Sequence, residues 1–155
     1  MLPWKLPPKA KIYEALSAVA DNRVKIGEGN SATVVSSAGD KAYVVRWSPE
    51  LTRVSSNDNA SFYQGYMGYP ILAVLMLIGK LRFSQEVASH LAGINWNQIN
   101  KKFRRNYDAA IDSVLAEIEA NGVARSVIDS EVNQIWKQLE GMSFDRLPGR
   151  LVPPK

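Results

Sequence analysis

Cationic and amide side chains cluster between positions 97 and 105, where their types and spacing suit contacts with nucleic acid. If Trp96, Ile99 and Phe103 face inward on a helix, the 3.6-residue period turns most of their neighbours outward. Lysine and arginine neutralise phosphates, and asparagine, glutamine and arginine can hydrogen-bond to base edges. The sequence therefore predicts a nucleic-acid-binding surface made of Asn97, Gln98, Asn100, Lys101, Lys102, Arg104 and Arg105.

The segment 84–105 resembles a helix-turn-helix motif. That motif has an alanine where its two helices cross, a glycine in the turn and an aliphatic anchor on the second helix. Ala88, Gly93 and Ile99 occupy these places, with one more residue in the turn than the motif usually has. The resemblance implies DNA binding through the second helix.

The same charges also fit a simpler interpretation. Acidic residues follow the basic ones from Asp108 to Glu119, and charge segregated along a helix often serves only solubility. The formal net charge of +4 and the pI of about 9.4 permit an anionic partner without requiring one.

A glycine-rich stretch between Gly27 and Ala32 offers a second hypothesis. It resembles the glycine-rich loop of protein kinases, with Ala32 at the place of the third glycine, and this resemblance implies backbone contacts to nucleotide phosphates. The following strand ends in Arg46 rather than the expected lysine, and the chain has no His-Arg-Asp or Asp-Phe-Gly motif. A hairpin turn with two glycines also explains these residues.

The polar and aromatic stretch 55–69 is a third candidate, for a small-molecule or ion site. Its possible lining residues are Ser55, Ser56, Asn57, Asp58, Asn59 and Ser61, with Tyr63, Tyr66 and Tyr69 as a wall. No nucleophile stands at a recognisable spacing from a base, so the sequence indicates no reaction. The alternative is a loop that satisfies its own backbone while its tyrosines cover the core.

The absence of cysteine excludes disulfides, thiolate metal sites and cysteine nucleophiles, and His90 is the single histidine. We therefore expect no metal and no cofactor. The sequence indicates no catalytic residue and favours a protein that is not an enzyme, although a ligand-binding or enzymatic domain centred on 27–32 or 55–69 stays an alternative. The first residues carry prolines where a signal peptide would have its apolar run, so we expect a cytoplasmic protein.

These candidate residues need a scaffold, and the apolar stretch 70–79 is its expected centre. At about ten residues it has roughly half the length of a membrane span, so we expect a core helix with no span of the membrane. Apolar periodicity predicts further helices at 10–20, 84–92, 96–120 and 124–139, the third with a possible break near Asn106. Alternating β-branched residues predict a small antiparallel meander at about 23–47.

The expected fold is thus α+β, a mainly helical single domain over 1–155, with four to five helices around the buried helix at about 70–79. Proline-rich segments at 1–8 and 147–155 should be extended arms. With an aromatic face, such arms also suit a non-enzymatic interaction module that forms a homodimer or a larger homo-oligomer.

Overall fold

A mixed five-stranded sheet and seven helical segments make up the residues that the computed structural model describes, 2–149 and 151–155. Together they form one α+β domain. The strands are β1 (Val24–Ile26), β2 (Ser31–Val35), β3 (Ala42–Trp47), β4 (Arg53–Ser56) and β5 (Asp145–Arg146). The helices are α1 (Ala10–Ala20), α2 (Tyr69–Leu77), α3 (Gln85–Ser89), α4 (Trp96–Lys102), α5 (Tyr107–Ala120) and α6 (Arg125–Glu140), and a π-helical segment spans Ala60–Gln64.

The sheet has the order β1-β2-β3-β4-β5 and is larger than the sequence predicts. The predicted antiparallel meander is present as β1, β2 and β3, but β4 continues it and β5 then joins β4 in parallel. Strand β4 contains two serines, a composition more typical of a turn. Its Ser55 is nevertheless buried, because the hydroxyl oxygen accepts from the Leu147 N–H at 2.9 Å and donates to the Leu147 carbonyl at 3.1 Å.

Two helices share the interior. Helix α2 buries every residue from Pro70 to Met76, and its proline stands at the start, where a missing N–H costs nothing. Helix α1 packs against it and is buried from Ala10 to Val19, polar residues included. The longest described helix, α6, has 16 residues, and none of the described helices combines the length and apolarity that crossing a membrane requires.

The predicted stretch 96–120 is two helices rather than one. Helix α4 ends at Lys102, and Arg104 and Arg105 then adopt left-handed backbones with φ of 51° and 64°. Asn106 starts the next helix, since its side-chain oxygen accepts from the Ala109 N–H at 3.2 Å. The break therefore lies next to the predicted residue, Asn106.

The N-terminal segment lies along β5. The Trp4 N–H donates to the Phe144 carbonyl at 3.0 Å, and the Arg146 N–H donates to the Leu2 carbonyl at 2.8 Å. The Trp4 indole N–H also donates to the Val54 carbonyl at 2.9 Å. Residues near both ends of the described chain thus meet at the β5 edge of the sheet. Of the predicted arms, Met1 and Arg150 lie outside the described residues.

Candidate nucleic-acid interface

The orientation of α4 is set by hydrogen bonds to buried polar side chains of α1. The Trp96 indole N–H donates to the Ser17 hydroxyl at 2.8 Å, and the Asn100 amide donates to Glu14 Oε1 at 2.9 Å. Trp96 and Asn100 are four residues apart and therefore lie on one helix face. These two bonds hold that face of α4 against the protein and leave the opposite face to solvent.

The Glu14 carboxylate also pairs with a buried lysine one turn earlier on α1. Lys11 Nζ lies 3.2 Å from Glu14 Oε2 and 4.8 Å from the centre of the Tyr107 ring. Burial by itself lowers the pKa of Lys11, but the Glu14 carboxylate and the nearby tyrosines outweigh it and raise the pKa above its ordinary value. The lysine therefore stays charged, and this network ties α1 to both α4 and the start of α5.

Both helices of segment 84–105 begin with a side-chain cap. The Ser84 hydroxyl accepts from the Val87 N–H at 3.2 Å, and the Asn95 side chain accepts from the Gln98 N–H at 3.1 Å. The turn between them contains Gly93 with a φ of 76°. The two helices are short, however, and each packs on other partners: α3 on α1 and α6, and α4 on α5. The mutual packing of a helix-turn-helix unit is thus not what positions α4.

The structure brings six of the seven candidate side chains together on the solvent side. Asn100 differs, because it is half-buried and its amide is bonded to Glu14. Its position four residues after the buried Trp96 explains this placement. The six exposed residues are Asn97, Gln98, Lys101, Lys102, Arg104 and Arg105.

Four of these residues form what we call the basic corner: Lys101, Lys102, Arg104 and Arg105. All four are exposed, and none forms an ion pair with a carboxylate of the described residues. The segment from Asn95 to Tyr107 contains no acidic residue. The four charges of the corner equal the whole formal excess of the chain, +4, so the remaining basic and acidic residues balance.

A hairpin tip adjoins the N-terminal end of α4. The Asn97 N–H donates to the Ser37 hydroxyl at 3.2 Å, which fixes the β2–β3 turn beside the helix. A hydrogen bond from the Ser36 hydroxyl, then a backbone hydrogen bond and the charges of Lys41 and Lys101, hold the pKa of Asp40 below its ordinary value. Asp40 is therefore ionised near neutral pH and borders the corner on this side.

The backbone of the corner is strained at its two arginines. The Arg105 N–H donates to the Asn100 carbonyl at 2.8 Å, and the Arg104 N–H to the Lys101 carbonyl at 3.0 Å, which closes the end of α4. Glycine is the usual residue in such left-handed positions, and other residues pay about 1–2 kcal/mol each. Cations at the C-terminal end of a helix recover part of this cost through the helix dipole.

The glycine-rich stretch forms the exposed turn between β1 and β2. Gly29 and Asn30 have φ of 68° and 56°, as a tight hairpin turn requires. The turn lines neither of the two cavities described for the protein. These residues are thus explained by the hairpin itself.

The stretch 55–69 separates into a structural part and a cavity wall. The Asp58 carboxylate is buried and accepts from the Ser61 hydroxyl at 2.7 Å and from the Ser61 N–H at 3.0 Å. Gly68 leaves the space that this carboxylate occupies, because a Cβ there would lie 2.0 Å from Asp58 Oδ2. Ser55, Ser56 and Ser61 also line a cavity, together with two arginines, Arg53 and Arg146.

The three predicted tyrosines do not form one wall. Tyr63 is 69% exposed, whereas Tyr69 is largely covered and meets the Tyr43 ring edge-on at 6.4 Å. Tyr66 is half-buried. Within the described residues, no three side chains of histidine, aspartate or glutamate stand close enough together to hold a metal ion.

Comparison with known proteins gives one match. Residues 4–145 match the model of a family described as "Uncharacterised conserved protein UCP014422". Neither the curated proteins nor the solved structures contain a match to the chain.

Proposed function

Because the chain belongs to the family "Uncharacterised conserved protein UCP014422", whose description names no activity, we propose a function from the geometry: nucleic-acid binding through the basic corner with Asn97 and Gln98. One observation carries the proposal. Four lysines and arginines stand within five consecutive positions, exposed and without carboxylate partners among the described residues.

Concentrated unpaired cations favour a polyanionic partner. Phosphate contacts by lysine and arginine release counterions from the nucleic acid, which supplies most of the affinity of non-specific binding. The four clustered and exposed charges of the corner therefore attract a polyanion over a distance of about a Debye length.

The surroundings of the corner favour nucleic acid over a membrane surface. Proteins that bind lipid surfaces combine cations with exposed apolar side chains that enter the bilayer. The exposed large apolar residues of the described chain lie on other elements: Leu2, Leu6, Ile26, Tyr63, Leu77, Val127 and Val152. Next to the corner stand the amides of Asn97 and Gln98 instead, which suit phosphates and base edges.

Because helix α4 is short, the corner can contact only a few bases. Seven residues span only about 10 Å, so phosphate contacts should outnumber base contacts. The exposed side of α4, opposite the face held by Trp96 and Asn100, is the surface that we expect to face the duplex. Asn100 supports this surface from below through its bond to Glu14.

A titration by fluorescence anisotropy at two salt concentrations tests the proposal, with duplex DNA and duplex RNA as separate probes. Replacing Lys101, Arg104 and Arg105 together by Ala should abolish binding at low salt. Any residual binding should show a dependence of log K on log salt that is smaller by about 3, one unit for each lost phosphate contact.

The matched control replaces Lys25, Arg46 and Lys80 by Ala, three exposed cations elsewhere on the surface. This control variant lowers the net charge by the same three units as the corner variant and should retain most of the nucleic-acid affinity. Equal losses in both variants, or none in the first, would overturn the corner as the binding site. If the unaltered protein binds neither duplex, the proposal of nucleic-acid binding is wrong, and the alternative is an interaction module that forms homo-oligomers. Sedimentation should then show a mass above the 17.2 kDa of the monomer.

A further inference from the structure

A cavity of about 550 Å³ lies where the N-terminal segment, β4, β5 and the residues after β5 meet. Cavities of about 300–1,000 Å³ commonly hold small organic ligands. Its wall includes Trp4 and Phe62 as aromatic surfaces and Arg53 and Arg146 as cations. The cavity therefore combines an apolar part with positive charge.

Arg146 is held in place but its charge is not neutralised. Its guanidinium carbon lies 4.5 Å from the centre of the Trp4 ring. Gly65 leaves room for it, since a Cβ at this position would lie 3.0 Å from Arg146 Nη2. Arg146 Nε is buried and finds no hydrogen-bond acceptor among the described residues, and neither Arg146 nor Arg53 forms an ion pair with a described carboxylate, Asp145 in the same wall included.

A buried donor without an acceptor is unfavourable, and a guanidinium is a planar fork whose geometry matches a carboxylate or a phosphate. The stacking on Trp4 fixes the plane of this fork in advance. An oxyanion in the cavity would supply the missing acceptor.

The serines around the cavity differ in what they can offer. Both hydrogen-bonding functions of the Ser55 hydroxyl are used by the Leu147 backbone, and Ser61 is bonded to Asp58 and Gly68. The Ser56 hydroxyl accepts from the Asp58 N–H at 3.2 Å and donates to no described acceptor. Ser56 therefore has a proton to donate, alongside the arginines.

We propose that this cavity binds a small organic anion, whose carboxylate or phosphate pairs with Arg146 and Arg53 while its apolar body packs against Trp4 and Phe62. The site is separate from the basic corner and does not depend on nucleic-acid binding. Neither arginine stands out in the sequence, because the strands that bring them together carry no clear local signal.

Isothermal titration calorimetry with four probes tests the proposal: phenylacetate, phenyl phosphate, the neutral phenylacetamide and inorganic phosphate. At least one organic anion should bind ten times more tightly than the amide, and more tightly than inorganic phosphate. The preference between the two organic anions identifies the oxyanion. Binding should raise the melting temperature by several degrees at saturating ligand, because it stabilises only the folded state.

Replacing Arg146 by Gln should weaken binding of the preferred anion at least tenfold, whereas Arg46→Gln, on the neighbouring strand β3 and outside the cavity wall, should leave it unchanged. Should the first variant fail to fold, Arg53→Gln at the cavity wall should give a smaller loss in the same direction. Equal binding of anion and amide, binding of inorganic phosphate alone, no binding of either organic anion, or undiminished binding by the arginine variants would each overturn the proposal.

Discussion

The protein presents positive charge in two regions that are built in opposite ways. The basic corner carries four exposed charges on the end of a short helix and the strained turn after it. In the cavity, Arg146 is half-buried on a strand, stacked on Trp4 and partly without hydrogen-bond partners. Interactions of exposed charges extend over a Debye length and weaken with salt, whereas a half-buried guanidinium with a fixed plane favours an oxyanion at one direction and distance.

The two regions also differ in how they connect to the fold. The corner depends on the face of α4 below it, through Trp96 and Asn100. The cavity depends on backbone pairing between the N-terminal segment and β5. Changes to the outer side chains of the corner should therefore spare stability, while changes to the cavity wall should not.

Replacing Trp4 by Ala should have the largest effect, a loss of about 2–4 kcal/mol in the free energy of unfolding. The change removes the hydrogen bond to the Val54 carbonyl, the packing on the core and the stacking partner of Arg146. Urea unfolding measures the loss, and Trp4→Phe should lose less because a ring remains. Nucleic-acid binding by the folded variant should stay unchanged, and a weakened affinity would show that the two regions are coupled.

Replacing Asn100 by Ala should cost about 1–2 kcal/mol, because it leaves the buried Glu14 carboxylate without its amide donor. Asn97→Ala is the matched control, since that side chain is exposed and only its backbone N–H is bonded, to Ser37. Its free energy of unfolding should change by less than about 0.5 kcal/mol. Equal values for the two variants in thermal or urea unfolding would contradict the assignment of Asn100 to the support of α4.

Replacing both Arg104 and Arg105 by Gly should have the smallest effect on stability, a gain of up to about 1 kcal/mol, because glycine adopts the left-handed backbone without strain. The same variant should bind nucleic acid more weakly. Calorimetric melting and anisotropy titration of the same preparation should therefore show higher stability together with weaker nucleic-acid binding. The control replaces both arginines by lysine, which keeps the charge and the backbone strain, so its stability should equal that of the original protein. If the glycine variant is less stable than the original, the turn is not strained.

The sequence predicts those parts of the fold whose causes are local. Helix α1 has the predicted bounds, since its apolar period and the Asp21-Asn22 turn lie within one short stretch. Strand β5 has only two residues, and its pairing joins Arg53 to Asp145 across most of the chain. No window of sequence can indicate such a contact.

The same distinction applies to the candidate sites. The exposure of Asn97, Gln98, Lys101 and Lys102 and the inward position of Asn100 follow from the helical period of α4. The partner of Asn100 does not, because Glu14 stands 86 residues earlier. No glycine or proline stands between Trp96 and Ala120, so nothing in the sequence marks the left-handed arginines. Three residues of the predicted small-molecule site, Ser55, Ser56 and Ser61, do line the cavity. Its two arginines could not be predicted, because Arg53 and Arg146 come together only where β4 and β5 pair.

The pairing of the N-terminal segment with β5 has a consequence for synthesis of the protein. Until residues 144–146 have been added to the growing chain, β4 lacks its partner strand β5, and the backbones of Leu2 and Trp4 lack their hydrogen-bond partners. A strand whose edge is unpaired during synthesis can form backbone hydrogen bonds with other chains, which leads to aggregation. The sheet is thus completed only after residues 145–146 have been made, and these two residues join the segment around Trp4 to β4.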